Sequence, residues 1–206
     1  MGPGKSDIAN QDGVSEVLTV GQQLRQHPVG KLLVDQDHLF QAMELSGQIK
    51  ELRCFYDSKA SVFHTVVLVG KDVCGHPQTV HGGLTAAIID ETFGGLAVSV
   101  WLQGKLGVIS PPYTARLEVD YKAKIPAGSL LMVSSEVESV DDRKVWMRAR
   151  VTDGEQVVYA TARALFVSPR MLPKSISFGG GNVLGTGKVV PLVSSSSSGS
   201  ASASSN

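Results

Sequence analysis

The sequence predicts an α+β domain in which an antiparallel sheet wraps around one long, buried central helix. Three observations predict it. The segment from Gly82 to about Val98 carries only two formal charges, Asp90 and Glu91, among Ala, Ile, Leu, Val, Phe, Gly and Thr. A helix with no polar face must be surrounded by protein. Residues 113–122 alternate, with Ala115, Leu117, Val119 and Tyr121 on one face and Arg116, Glu118, Asp120 and Lys122 on the other, the period-two pattern of a half-covered strand. Three further strand-like runs, over 129–140, 143–152 and 156–167, follow at hairpin spacing, so the strands form a meander.

The elements follow in order. Residues 14–45 read as one or two short helices broken at His27-Pro28, because proline lacks the N–H a helix interior needs. Residues 61–70 are rich in Val and Thr and read as a strand. Residues 72–80 contain Gly75 and Pro77, a loop that delivers the chain to His81. After the helix, Asp141-Asp142 makes a tight connection and Asp153-Gly154 signals a hairpin. In the last strand Val158, Ala160, Ala162, Ala164 and Phe166 share one face, and the small residues leave room for the helix.

Composition narrows the function classes. A chain of 206 residues suits one domain plus tails. We read residues 1–13 as a flexible N-terminus, 14–170 as the domain with an N-terminal helical extension, and 171–206 as a Gly/Ser-rich disordered tail. Lys and Arg (19) balance Asp and Glu (19), so no global field draws the protein to nucleic acid. Cys54 and Cys74 form neither a CxxC nor a disulfide framework, which favours a reducing compartment, cytoplasmic with mitochondrial as the alternative. No second ligand cluster accompanies Cys74-Gly75-His76, so no metal is expected. The first thirty residues hold no apolar run, hence no expected signal peptide. Asp90, Glu91 and the glycines of the central segment argue against a membrane span. Gly185-Thr186-Gly187-Lys188 is no phosphate loop, because Asn182 and Val189 stand where Gly and Ser or Thr belong.

The chemistry concentrates at His81-Gly82-Gly83 and Asp90. Gly82 and Gly83 admit close approach of a backbone or ligand, and the first amides of a helix point partial positive charge outward. A carboxylate two turns further in completes a plausible set of parts for acyl transfer. Asp90 also has the plain reading of a buried, hydrogen-bonded residue. His81 is expected to orient the helix start rather than act as a base, and Glu91, about 100° round the helix from Asp90, to be structural.

His81-Gly82-Gly83 with Asp90 nine positions after the histidine resembles the active-site segment of the PaaI-like branch of hotdog-fold thioesterases. Thr114-Ala115-Arg116-Leu117-Glu118-Val119-Asp120-Tyr121-Lys122 followed by Ile125-Pro126, and Arg143-Lys144 further on, are similar to the Them-type acyl-CoA thioesterases. The resemblance covers roughly residues 60–168. It implies a hotdog fold and hydrolysis of an acyl-CoA thioester to a free acid and coenzyme A, without metal or redox cofactor, in a homodimer or dimer of dimers. Asp90 would be the catalytic carboxylate, activating water or attacking the carbonyl. The amide of Gly82, with Gly83, would hold the oxyanion, His81 would belong to the same site, and Thr114 would help from across a dimer interface. Lys122, Arg143 and Lys144 would contact the coenzyme, with His76 and Asp120 as further ligand-binding candidates where this chain departs from the family pattern. Two other readings stand beside this one: a hydratase or dehydratase on the same fold, and a non-enzymatic acyl-CoA-binding scaffold.

Overall fold

The computed structural model describes residues 12–28, 38–106, 110–155 and 157–169. The expected tail, 171–206, and all but the end of the expected flexible N-terminus lie outside the described residues.

Seven strands form one antiparallel sheet: β1 (Val14–Val17), β2 (Ile49–Asp57), β3 (Val62–Val69), β6 (Tyr113–Tyr121), β7 (Leu130–Asp141), β8 (Lys144–Thr152) and β9 (Val158–Val167), in the order β1-β2-β3-β7-β8-β9-β6. A small hairpin of β4 (Cys74–His76) and β5 (Thr79–Val80) precedes the long helix. The helices are α1 (Val20–Gln26), α2 (Leu39–Leu45) and α3 (Gly82–Leu102). This is the hotdog arrangement the sequence predicts, with α3 running four residues further than its expected end.

The sheet curls around α3. Ile88, Ile89, Phe93 and Leu96 of the helix are fully buried with Phe63, Val67, Val133 and Met147 of the sheet. Close approach needs small residues on both sides. Ala160 and Ala164 are fully buried in β9, and Phe93 of α3 meets Phe166 of β9 at 6.4 Å between rings. On α3 a Cβ at Gly95 would lie 2.3 Å from the Phe63 ring, so glycine is required there. By length and composition α3 could cross a membrane; 56% of its apolar window is buried inside the fold.

Two expectations need correction. Val14–Val17 is not helical but pairs with β2 as an edge strand, and its four residues carry too little pattern to show this. Strand β2 went unseen. Its inward residues run Ile49, then Leu52, Cys54 and Tyr56, because an irregularity between Ile49 and Glu51 shifts the phase. That bulge breaks the strict alternation by which a strand is recognised.

Candidate active site

The start of α3 is pinned on both sides. His81 N–H donates to Val73 O at 2.8 Å, and Val80 N–H donates to Ile125 O at 2.9 Å, so the Ile125-Pro126 segment anchors the approach to the helix. Gly75 lies so close that a Cβ there would be 2.9 Å from the His81 ring. His81 is the N-cap: its Nδ1 accepts from Gly83 N–H at 2.9 Å. His81 O accepts from Leu84 and Thr85 N–H at 3.0 and 3.1 Å. With Nδ1 engaged as an acceptor, the neutral ring carries its proton on Nε2, which disqualifies Nδ1 as a base.

These bonds divide the two glycines. The Gly83 amide is spent on the cap and is not free for an oxyanion. The Gly82 N–H has no acceptor among the described residues, and it carries the partial positive charge of a 21-residue helix. Tyr121 OH donates to Gly82 O at 2.9 Å, holding the adjoining Gly82–Gly83 peptide from the far end of β6. Sequence reasoning placed Tyr121 on the inward face but gave it no part in the site.

Asp90 lies eight residues along α3, roughly 12 Å from Gly82 at the rise of an α-helix. Thr114 Oγ1 donates to Asp90 Oδ1 at 2.9 Å. Burial raises the Asp90 carboxyl above its ordinary range, and the Thr114 hydrogen bond opposes that rise. Thr114 thus reaches Asp90 within one chain, and this pairing needs no interface. Its aim also departs from the alternation. Thr114 pairs with Phe166 and Arg116 with Leu165, leaving Ala115 as an extra, exposed residue. This bulge turns Thr114 to the helix side, while Leu117 pairs with buried Ala164 on that same side. Ala115, expected on the covered face, is exposed for the same reason.

Glu91, read as structural, has a 9% exposed side chain lying 3.8 Å from His38. Beside the helix start a cavity of about 240 Å³ opens, lined by Met43, Val73, Cys74, His81 and Leu84 among others.

Residues 77–160 match the Thioesterase superfamily, a span that holds Gly82, Asp90 and Thr114. Residues 77–160 resemble a thioesterase-superfamily domain. The chain is 38% identical over 94 residues to the acyl-coenzyme A thioesterase THEM4 of Xenopus laevis, covering 45% of this chain and 39% of that protein. It is 27% identical over 152 residues to THEM4 of Rattus norvegicus, covering 71% of this chain and 62% of the relative. The chain therefore spans less than two thirds of the length of these relatives. The E. coli PaaI protein superposes with a TM-score of 0.50 at 14% identity, over 73% of this chain and 96% of that one, a likeness of fold.

In this fold the cationic candidates separate into two places. Lys122 follows Tyr121 at the Gly82 end of β6 and lies 3.6 Å from Asp120. Lys144 pairs with Val167, which pairs with Tyr113 at the Asp90 end. The two ends of β6 are roughly 25 Å apart, so one chain does not bring Lys122 and Lys144 together. Arg143 Nη1 donates to Ser168 O at 3.1 Å, a bond that ties the β7–β8 turn to the end of β9. His76 is exposed on β4.

Proposed function

We propose that this protein is an acyl-CoA thioesterase, hydrolysing an acyl-CoA thioester with water to a carboxylic acid and the free thiol of coenzyme A. One observation carries the reading: the Thr114 hydroxyl holds a half-buried carboxylate, Asp90, on a helix whose first amide, Gly82 N–H, is left open. The names of the THEM4 relatives support the same reaction class. The hydratase and scaffold readings gain no specific support, since His81 is engaged as a cap rather than poised as a base.

In the proposed reaction the Gly82 N–H stabilises the carbonyl oxygen as it becomes an oxyanion. Ionised Asp90 either takes a proton from the attacking water or attacks the carbonyl carbon itself. The thiolate then leaves and is protonated. No metal or redox partner enters this balance.

A carbonyl carbon cannot touch both groups across roughly 12 Å of one helix. We infer that each site takes Asp90 and Thr114 from one chain and Gly82 from a second, in a homodimer or dimer of dimers. Such pairing would also bring Lys122 of one chain nearer Arg143 and Lys144 of the other, where they would meet the phosphates of the coenzyme, with His76 and Asp120 on the rim.

The test is a panel of acyl-CoA thioesters of increasing chain length, with free thiol measured. One thiol released per acid formed is expected for at least one member. A folded protein that leaves every member at the uncatalysed rate would overturn the reading.

A further inference from the structure

The helices between β1 and β2 are fastened to α3 at a titratable contact. Val20 of α1 packs against Gly94, and the His27 ring lies 4.5 Å from the ring of buried Trp101. His38, at the N-cap of α2, places Nε2 3.8 Å from Glu91 Oε2. Glu91 Oε1 is buried with no hydrogen-bond partner among the described residues. His38 also lines a cavity of about 150 Å³ with Arg25 and Glu44.

We propose that Glu91 and His38 form a proton-dependent latch between the N-terminal helices and α3, with Glu91 a positioning residue for its neighbour Asp90. Only the role of Asp90 rests on the proposed function; the latch itself does not.

An ionised carboxylate with an unpartnered buried oxygen is costly. Burial, with the Asp90 charge added, pushes the Glu91 carboxyl up to about 7. His38 moves the other way, lowered by burial and by the charge of Arg25 on α1. Among the described residues the charged and titratable groups around the contact are Asp90 on α3, Arg25 on α1, Glu44 on α2, Glu16 on β1 and Cys54 on β2, whose thiol feels Glu91, Glu44 and Glu16. While Glu91 keeps its proton, Asp90 has no second charge beside it. When that proton leaves to solvent, the buried Glu91 carboxylate and the half-buried Asp90 carboxylate repel, and α1 and α2 loosen from α3. The sign follows from linkage. Between the ordinary glutamate value of 4.5 and about 7 the folded chain holds a proton that the unfolded chain has lost. Stability therefore falls as pH rises through that window and levels off above it.

The experiment uses the full chain. Carboxyl carbon NMR should show one glutamate with a midpoint near 7 in the unsubstituted protein. Thermal unfolding should lose stability across the same window, and Glu91→Gln should flatten that slope. Asp90→Asn should lower the glutamate midpoint by at least about half a unit, because it removes the neighbouring charge. In a Trp146→Phe background, Trp101 fluorescence should shift to the red above the midpoint. A protein with no glutamate titrating above about 6, or with a midpoint indifferent to Asp90→Asn, overturns the latch. Should Glu91→Gln fail to fold, the NMR of the unsubstituted and Asp90→Asn proteins decides. Absence of thioesterase activity would sink the proposed function and leave this titration standing.

Discussion

The Thr114 hydroxyl donates to Asp90 Oδ1 at 2.9 Å within a single chain, so the carboxylate is oriented before any second chain arrives. The bond favours the ionised form of a group that burial otherwise pushes toward neutrality.

Thr114→Val keeps the shape of the strand and removes the donor. The Asp90 carboxyl should then titrate higher, and the acid limb of the kcat/KM profile should move to higher pH. At neutral pH kcat/KM should fall about tenfold or more, the worth of a hydrogen bond to a charged group. A pH profile of the variant checks both. An unmoved acid limb would show that Asp90 does not govern it.

Asp90→Asn keeps the acceptor for Thr114 but removes the charge. We expect kcat to drop at least about a hundredfold with substrate binding retained. Stability should respond in the opposite sense. A carboxyl raised by burial contributes stability that is full below its unfolded value and is lost as pH rises through the folded value. The neutral amide should therefore melt at an equal or higher temperature at pH 7. Parallel calorimetry and turnover assays measure the pair of effects. Near-normal turnover would remove Asp90 from the chemistry.

Gly82→Pro deletes the one open amide of the helix start with little else disturbed. Proline suits the first helical position, His81 already has the extended backbone that precedes a proline, and a Cβ at Gly82 would only touch Tyr121 at 3.5 Å. The variant should fold normally and lose about a hundredfold to a thousandfold in kcat. Mixed with Asp90→Asn and refolded together, it should regain activity, because some sites then join an intact Gly82 to an intact Asp90 from different chains. Light scattering should give a mass of at least two chains. Equal inactivity of the mixture and its parents would argue against a shared site.

Gly95→Ala tests the packing that holds the site. Its methyl group would press into the ring of Phe63, which is fully buried and has nowhere to retreat. A loss of about 1–3 kcal/mol is expected from such overpacking, read by urea unfolding. A neutral result would mean that α3 is held less closely to β3 than the structure shows.

Sequence alone determined the central helix, the four strands after it and the pairing of His81-Gly82-Gly83 with Asp90, because each rests on local periodicity or on spacing along one helix. The apolar run from Gly82 needs no partner to be recognised as buried. The tertiary structure decided the rest. Strict alternation would send Thr114 outward; the bulge at Ala115 turns it to Asp90, and a bulge is a property of how two strands pair. Gly82 and Gly83 look alike in the sequence, yet the His81 ring takes one amide and leaves the other open. Glu91 reads only as structural until the start of α2 brings His38 to 3.8 Å from it. In each case the deciding contact joins residues far apart in the chain or a side chain to one particular amide, and local sequence pattern carries no record of such geometry.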